Sequence, residues 1–210
     1  MTFDPFGDFG RRGYLRNVLG LSDPGEVRRA EHAAFRDGLR AAMAALRAAP
    51  EVGYAEVLGT HRALFGAFYP WAGRDRAELL PGLAVAKAGA FDLFAHPADV
   101  RRAAGHALDL ARDRARLRGR PGEVYGLLAH AHPFLDGNGR TITAVHAELA
   151  RRAGFHIDWP AIPKAGFLDA LTRDPRARAL DALLLRHLRD GAMPARTTEA
   201  RLRAHPGLGP

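Results

Sequence analysis

Cysteine is absent from the 210-residue chain. That removes disulfides, thiolate metal sites and cysteine nucleophiles, so any chemistry must use oxygen and nitrogen groups. Lysine is scarce too: Lys87 and Lys164 are the only ones, and the formal net charge of +8 rests almost wholly on arginine. No apolar run approaches the roughly 18 residues of a membrane span, and the amino terminus lacks the basic-then-apolar pattern of a signal peptide. A cytoplasmic chain with no membrane partner is expected. A basic surface attracts nucleotides, acidic proteins and nucleic acid alike. With no nucleic-acid-binding motif in the chain, a nucleic acid is not the expected partner.

What is present fits one globular domain, since 47% of the residues are hydrophobic and this length buries a sizeable core. Residues 1–13 hold Phe3, Phe6 and Phe9 without a helical period and read as an irregular leader. Asp23-Pro24-Gly25-Glu26 combines a capping Asp, a first-turn Pro and a Glu at the third helical position, so a long helix is expected from there to about Ala49. Further helices are expected over Glu51 to Phe68, Pro97 to about Leu117, Glu123 to His130, after Gly139 to Gly154, about Ala161 to Thr172, and Arg176 to Asp190. Between Tyr69 and Ala95, turn formers break the pattern into a loop or short hairpin. The domain proper is placed at 14–190. The basic tail 191–210, with few large apolar groups, is expected to be mobile.

The most informative segment is His130-Ala131-His132-Pro133-Phe134-Leu135-Asp136-Gly137-Asn138-Gly139-Arg140. It lies between two helical patterns, so the second helix begins at the glycines and presents unpaired N–H groups and the positive end of its dipole. Gly137, Asn138, Gly139 and the fixed cation Arg140 suit a phosphate. Asp136 is a hard oxygen ligand suited to phosphate-bound Mg2+. His132, with an ordinary pKa near 6.5, can take a proton at neutral pH. Base, metal ligand and anion cradle within nine residues is the set that in-line attack by a hydroxyl on a phosphate requires. A transition-metal site on His130, His132 and Asp136 explains the glycines less well. His61, His96, His106 and His146 read as surface or packing residues, and Trp71 and Trp159 as packing.

The string His132 to Arg140 resembles the signature of the Fic (filamentation induced by cAMP) family, His-Pro-Phe-x-Asp/Glu-Gly-Asn-Gly-Arg. Asn17-Val18-Leu19-Gly20, Tyr69-Pro70-Trp71-Ala72-Gly73-Arg74 and Ile157-Asp158-Trp159 look like further elements of such proteins. The resemblance implies an all-α fold, a helical bundle of about six to eight helices with a small β-hairpin flap. It implies a protein adenylyltransferase taking ATP and Mg2+ and modifying a Tyr, Thr or Ser hydroxyl of a protein substrate. On that pattern His132 is the general base, Asp136 the metal ligand, and Gly137, Asn138, Gly139 and Arg140 the phosphate binders. Phe134 is a buried anchor, and the flap carrying Arg74 and Lys87 docks the target. The family also admits a small antitoxin-type inhibitor and delivery into a host cell.

One departure matters. The family pattern ends Arg-x-x-Arg, and the second arginine is here Thr143. Three residues beyond Arg140 on a helix, Thr143 is expected near the phosphates, where it offers a neutral hydrogen bond about half as strong as a charge-assisted one. The donor is therefore open: ATP, or one that delivers UMP, phosphocholine or phosphate, with a lapsed nucleotide- or partner-binding module as the non-catalytic alternative. Ser22-x-x-x-Glu26 superficially matches the family's inhibitory pattern, but Val27 follows and Glu26 has a capping role.

Overall fold

The computed structural model of the chain describes residues 15–83, 93–173 and 177–203. Helix α1 (Pro24–Ala48) starts where the sequence places it: the Asp23 carboxylate accepts the Glu26 N–H at 2.8 Å. Its buried face, Val27, Phe35, Leu39, Met43 and Leu46, packs on α2 (Tyr54–Phe65). The approach is close because Gly38 has no Cβ; one added there would lie 2.1 Å from the Ala63 carbonyl oxygen. α2 is shorter than expected, since Glu56 caps back onto the Gly53 N–H at 2.8 Å.

Beyond α2 the chain makes turns and one helical turn, α3 (Arg76–Leu79). The single helix expected over 97–117 is divided into a 3-10 turn (Pro97–Asp99), α4 (Val100–Arg112) and α5 (Arg114–Gly119). Asp113 leaves the helical conformation and uses its carboxylate to cap α5, accepting the Arg116 N–H at 3.0 Å. α6 (Pro121–Ala131) and α7 (Asn138–Arg152) flank the loop singled out above, and α8 (Lys164–Arg173), α9 (Arg178–Arg186) and α10 (Ala195–Arg203) follow.

The molecule is therefore all-α, with ten helices among the described residues and one small antiparallel sheet. The sheet pairs β1 (Phe155–Ile157) with β2 (Leu188–Asp190), Phe155 opposite Asp190 and Ile157 opposite Leu188. β2 comes from a stretch expected to stay helical to Asp190. The flap expected between Tyr69 and Ala95 falls in part on residues 84–92, and Lys87 with it lies outside the described residues.

α7 runs through the middle of the molecule, touching α1, α2, α5, α6, α10 and β1. Ten of its fifteen residues are buried, Thr141 to His146 without a break. Around it Leu39, Phe65, Leu117, Val124, Phe134 and Phe155 are fully buried, each contributing roughly 1.5–3 kcal/mol of hydrophobic stabilisation. Within the tail, residues 195–203 form α10. α10 buries Leu202, the Arg201 guanidinium bonds Asp158 at 2.6 Å, and Arg203 donates to the Arg36 carbonyl at 2.8 Å. One leucine and two arginines dock a helix whose sequence is otherwise polar.

Candidate functional site

α6 stops at Ala131 because Pro133 cannot continue a helix. His132 takes the cap position in the left-handed region, φ 44, which costs about 1 kcal/mol for a residue with a Cβ. Arg76 of α3 holds this strained turn. Fully buried, its Nε donates to the His132 carbonyl at 2.7 Å, its Nη2 to the carbonyls of Ala95 (2.8 Å) and Ala131 (3.4 Å), and its backbone N–H to the Pro133 carbonyl at 2.7 Å. A guanidinium thus sits on the carbonyl end of α6, where the helix dipole favours a cation. Burial pulls its pKa down to about 10, so it stays charged at neutral pH. The half-buried His132 ring packs on Phe94 at 3.9 Å between centroids. The same strand of chain is tied by the Ala95 N–H to the His130 carbonyl (2.8 Å) and by His130 Nδ1 with the Leu93 carbonyl oxygen (3.1 Å).

The floor of the loop is built from α2. His61 is fully buried, stacked on Phe134 at 3.8 Å and 13°. Its Nδ1 accepts the Gly73 N–H at 2.9 Å, so its Nε2 carries the proton and donates to the Asp136 carbonyl at 3.0 Å. Burial drives its pKa down to about 3, and a neutral ring of one tautomer fixes the loop to the body. Asn138 adds a staple: its Oδ1 accepts the Phe134 N–H at 2.9 Å and its Nδ2 donates to the Phe134 carbonyl at 2.8 Å. Gly137 is left-handed at φ 74, and a Cβ there would meet the Phe65 ring at 2.5 Å. No other residue satisfies both conditions. α7 then begins with the backbone N–H groups of Asn138, Gly139 and Arg140 lacking intrahelical partners.

Charge is arranged around this helix start. The half-exposed Asp136 carboxylate accepts the Gly137 N–H at 2.6 Å and lies 3.9 Å from Arg140 Nη2. Crowding by protein, and then the Glu31 carboxylate, push its pKa above the ordinary value, against the pull of Arg140; its exposure moderates that shift. Arg140 is nearly buried over the Phe65 ring, 4.7 Å from the centroid. Its Nη2 donates to Glu31 Oε1 at 2.5 Å, while Nη1 is buried with no hydrogen-bond partner. The Tyr69 hydroxyl donates to the same Glu31 oxygen at 3.2 Å.

His132, Asp136, Gly137, Asn138, Gly139 and Arg140 thus form one continuous turn, and Phe134 is its fully buried anchor. One expectation needs correction. Thr143 does not face this turn: it is fully buried, its hydroxyl donating to the Gly139 carbonyl at 2.8 Å and sharing a 2.9 Å hydrogen bond with Tyr125. Three residues turn a helix by 300°, and with α7 buried on most sides the remaining 60° is enough to point it into the core. The Asn138 side chain is likewise spent on Phe134, which leaves its backbone N–H for an anion. Arg74 is half exposed and paired with Glu78 at 2.7 Å. Sequence reasoning missed Glu31, His61, Tyr69 and Arg76, whose partners lie 12 to 109 residues away. The one local signal was a charged or polar residue on the apolar side of a helix, as Glu31 is, four residues before Phe35.

Among the described residues no cluster of three or more His, Asp or Glu side chains could hold a metal by itself. A single carboxylate beside a helix start fits an ion such as Mg2+, which keeps waters and is held by one or two carboxylates together with substrate phosphates.

Residues 51–150 match the model of the Fic/DOC family. Protein adenylyltransferase VbhT of Bartonella schoenbuchensis is 29% identical over 170 residues, 77% of this chain and 34% of that protein. The chain therefore spans about a third of that relative's length. Probable protein adenylyltransferase y4lH of Sinorhizobium fredii is 27% identical over 168 residues, 76% of this chain and 82% of that protein. The N-terminal Fic domain of a VirB-translocated Bep effector protein from Bartonella quintana has the same fold at a TM-score of 0.71 and 21% identity, covering 86% of this chain and 90% of that one. BepC of Bartonella tribocorum, with bound AMPPNP, superposes at a TM-score of 0.70 and 19% identity, covering 86% and 94%.

Proposed function

We infer that this chain, whose residues 51–150 match the Fic/DOC family, is a protein adenylyltransferase that moves AMP from ATP to a Tyr, Thr or Ser hydroxyl of another protein. The observation that carries this is the turn from His132 to Arg140: a base, a carboxylate and a helix start, with one buried guanidinium nitrogen lacking a partner. The names of the two adenylyltransferase relatives and the AMPPNP bound to BepC support ATP as the donor.

His132 Nε2 or Nδ1 accepts the proton of the target hydroxyl as its oxygen forms a bond to the α-phosphorus. The bond from that phosphorus to the bridging oxygen breaks, and pyrophosphate leaves with the electron pair. The N–H groups at the start of α7 and Arg140 Nη1 stabilise the charge that accumulates on the outer phosphates. Asp136 would hold Mg2+, which when bound screens charge on the phosphates. Arg76, His61 and Asn138 do no chemistry; they hold the turn so that His132 and Arg140 face one ligand. Arg74 and the flap segment with Lys87 are proposed to dock the target. The catalytic unit is proposed to be 14–190, acting in the cytoplasm or, as the VirB-translocated Bep relatives suggest, after delivery into a host cell, with a small antitoxin-type protein as a fitting restraint.

The donor is a second matter. Because Thr143 supplies no cation, the outer phosphate has one charged contact fewer than the family pattern provides, and donors that deliver UMP, phosphocholine or phosphate remain competitors. The test is mass spectrometry on a lysate incubated with Mg2+, the purified chain and, separately, ATP, UTP, GTP, CTP or CDP-choline. A His132→Asn variant serves as control, since Asn tolerates the left-handed backbone. An adduct of AMP mass on a Tyr, Thr or Ser, reduced by roughly 10²–10⁴-fold in the variant, is the expected result. Adducts of another mass would move the donor, and adducts independent of His132 would remove the mechanism.

A further inference from the structure

We propose that Glu31 is a positioning residue that locks Arg140 in one orientation and thereby reserves its second terminal nitrogen for a phosphate oxygen of the ligand. This rests on the phosphate-binding reading of the turn but not on which group is transferred. Glu31 and Arg140 lie 109 positions apart on α1 and α7, and their side chains are 9% and 11% exposed. A guanidinium is a planar fork with five donors and no acceptor, so fixing one edge and one face fixes where the remaining donors aim. Both are fixed here. Glu31 Oε1 takes Nη2 at 2.5 Å, the Phe65 ring lies beneath the plane at 4.7 Å, and Phe35 borders it at 5.8 Å.

The pairing is lopsided in an informative way. A carboxylate can accept both terminal nitrogens of an arginine, yet only the Nη2 bond is made, and the second donation to Glu31 Oε1 comes from the Tyr69 hydroxyl at 3.2 Å. Nη1 stays buried and unpaired. An unpaired buried donor is costly unless a ligand meets it. This one belongs to the residue that closes the turn bearing Asp136 and the open N–H groups of α7. Tyr69, itself stacked on Trp71 at 4.3 Å, anchors Glu31 in turn, so the chain of support runs from an aromatic cluster through a carboxylate to the Arg140 guanidinium.

Two substitutions separate orientation from charge. Glu31→Gln and Glu31→Ala remove the same negative charge, but only Gln still accepts a hydrogen bond from Arg140. With inorganic pyrophosphate and Mg2+ as the probe in titration calorimetry, the Gln variant should bind at least as tightly as the parent chain. The Ala variant should bind about tenfold more weakly than the Gln variant, the scale of one charge-assisted hydrogen bond. In an Arg140→Ala background the difference between Ala and Gln should vanish. Equal affinities of the two variants would overturn the proposal, as would tighter binding by Ala, which would make Glu31 a competitor for Arg140. Tyr69→Phe, which leaves the ion pair in place, guards against failure of the Ala variant to fold: it should weaken pyrophosphate by about twofold to threefold, and an unchanged affinity counts against positioning. A parent chain that binds pyrophosphate but transfers nothing from ATP would remove adenylyl transfer and leave the role of Glu31 to these ratios. A parent chain that binds no pyrophosphate removes both.

Discussion

Helix α7 carries an arginine–glutamate cluster at each end, and the two are satisfied to different degrees. At the carboxyl end every nitrogen of Arg152 is engaged. Nε meets Glu148 at 2.8 Å, Nη1 the Pro50 carbonyl at 3.0 Å, and Nη2 the carbonyls of Leu46 and Ala49 at 2.8 and 2.7 Å. Glu148, fully buried, takes both arms of Arg151 at 2.7 Å as well. The cluster closes the carbonyl end of α1, where a cation is favoured. At the amino end Arg140 makes one bond to Glu31 and leaves a buried nitrogen unmet, beside a left-handed glycine and a carboxylate whose pKa is raised. Identical residue types therefore serve two ends: at the carboxyl end both Glu148 oxygens and every nitrogen of Arg152 are met, with only the flanking Arg47 Nη2 buried and unmatched, and the cluster stabilises, whereas the unmet Nη1 of Arg140 lies on the residue beside the open start of α7, where a ligand is proposed to bind.

The largest expected effect breaks the carboxyl end. Glu148→Ala leaves Arg47, Arg151 and Arg152 without their shared counter-charge, and removing one partner of a buried pair costs about 3–5 kcal/mol. That corresponds to a fall in Tm of about 10 °C for a chain of this size. The folded variant should bind pyrophosphate as the parent does, because Glu148 lies about two helical turns from Arg140 along α7. Scanning calorimetry and titration calorimetry on one preparation check both halves. A variant of unchanged Tm, or one that folds but loses affinity, would show that the two ends are not divided between stability and binding.

Acid should separate the ends next. His61, beneath the turn, has its pKa drawn from 6.5 to about 3 by burial, and His32, one residue from Glu31, to about 4 by burial and then by Arg140, Arg36, Lys164 and Arg28. His146, inside α7, also falls to about 4 by burial. The unfolded chain takes up these protons first, so each contribution is complete above pH 6.5 and is lost as pH falls from there toward the folded value. For His61 alone the loss at pH 5 is about 2 kcal/mol. Burial would raise the pKa of Glu148, but its bonds to Arg151 and Arg152 outweigh that and hold it low, so its contribution is lost only at lower pH, below the ordinary carboxylate value. Urea unfolding should therefore show a fall of at least about 2 kcal/mol between pH 7 and pH 5, with hydrogen exchange rising first around residues 132–138. Stability flat across that interval would mean that His61 is not held neutral under the turn.

How much of this was legible in the sequence follows from where each partner lies. The start of α1 is written in four adjacent residues, and the turn from His132 to Arg140 in nine, because caps, left-handed glycines and helix starts are local. Glu31, His61 and Arg76 are not local. Glu31 and His61 look like ordinary residues of helical segments, and Arg76 like a loop arginine, until folding brings Arg140, Asp136 or the His132 carbonyl against them. The split at Asp113 and the strand Leu188–Asp190 were missed for a related reason. An Asp inside a helical pattern and a short mixed segment such as Leu-Arg-Asp after a helix are ambiguous until a backbone partner is known, here the Arg116 N–H and Phe155–Ile157.

Thr143 gives the smallest and most discriminating effect. Helical spacing from Arg140 places it near the phosphates, whereas its hydroxyl is buried between Gly139 and Tyr125. Thr143→Val keeps the shape and removes the hydroxyl. The Tyr125 hydroxyl then retains only its longer contact to the Gly139 carbonyl at 3.4 Å. The cost should be about 1 kcal/mol of stability, the net worth of one neutral hydrogen bond, with pyrophosphate and ATP affinities within about twofold of the parent. A larger loss of affinity without a loss of Tm would put the hydroxyl on the ligand and extend the withheld-donor end of α7 by one turn. The expected result confines that end to Asn138, Gly139 and Arg140, so any cation that replaces the second family arginine must come from outside α7.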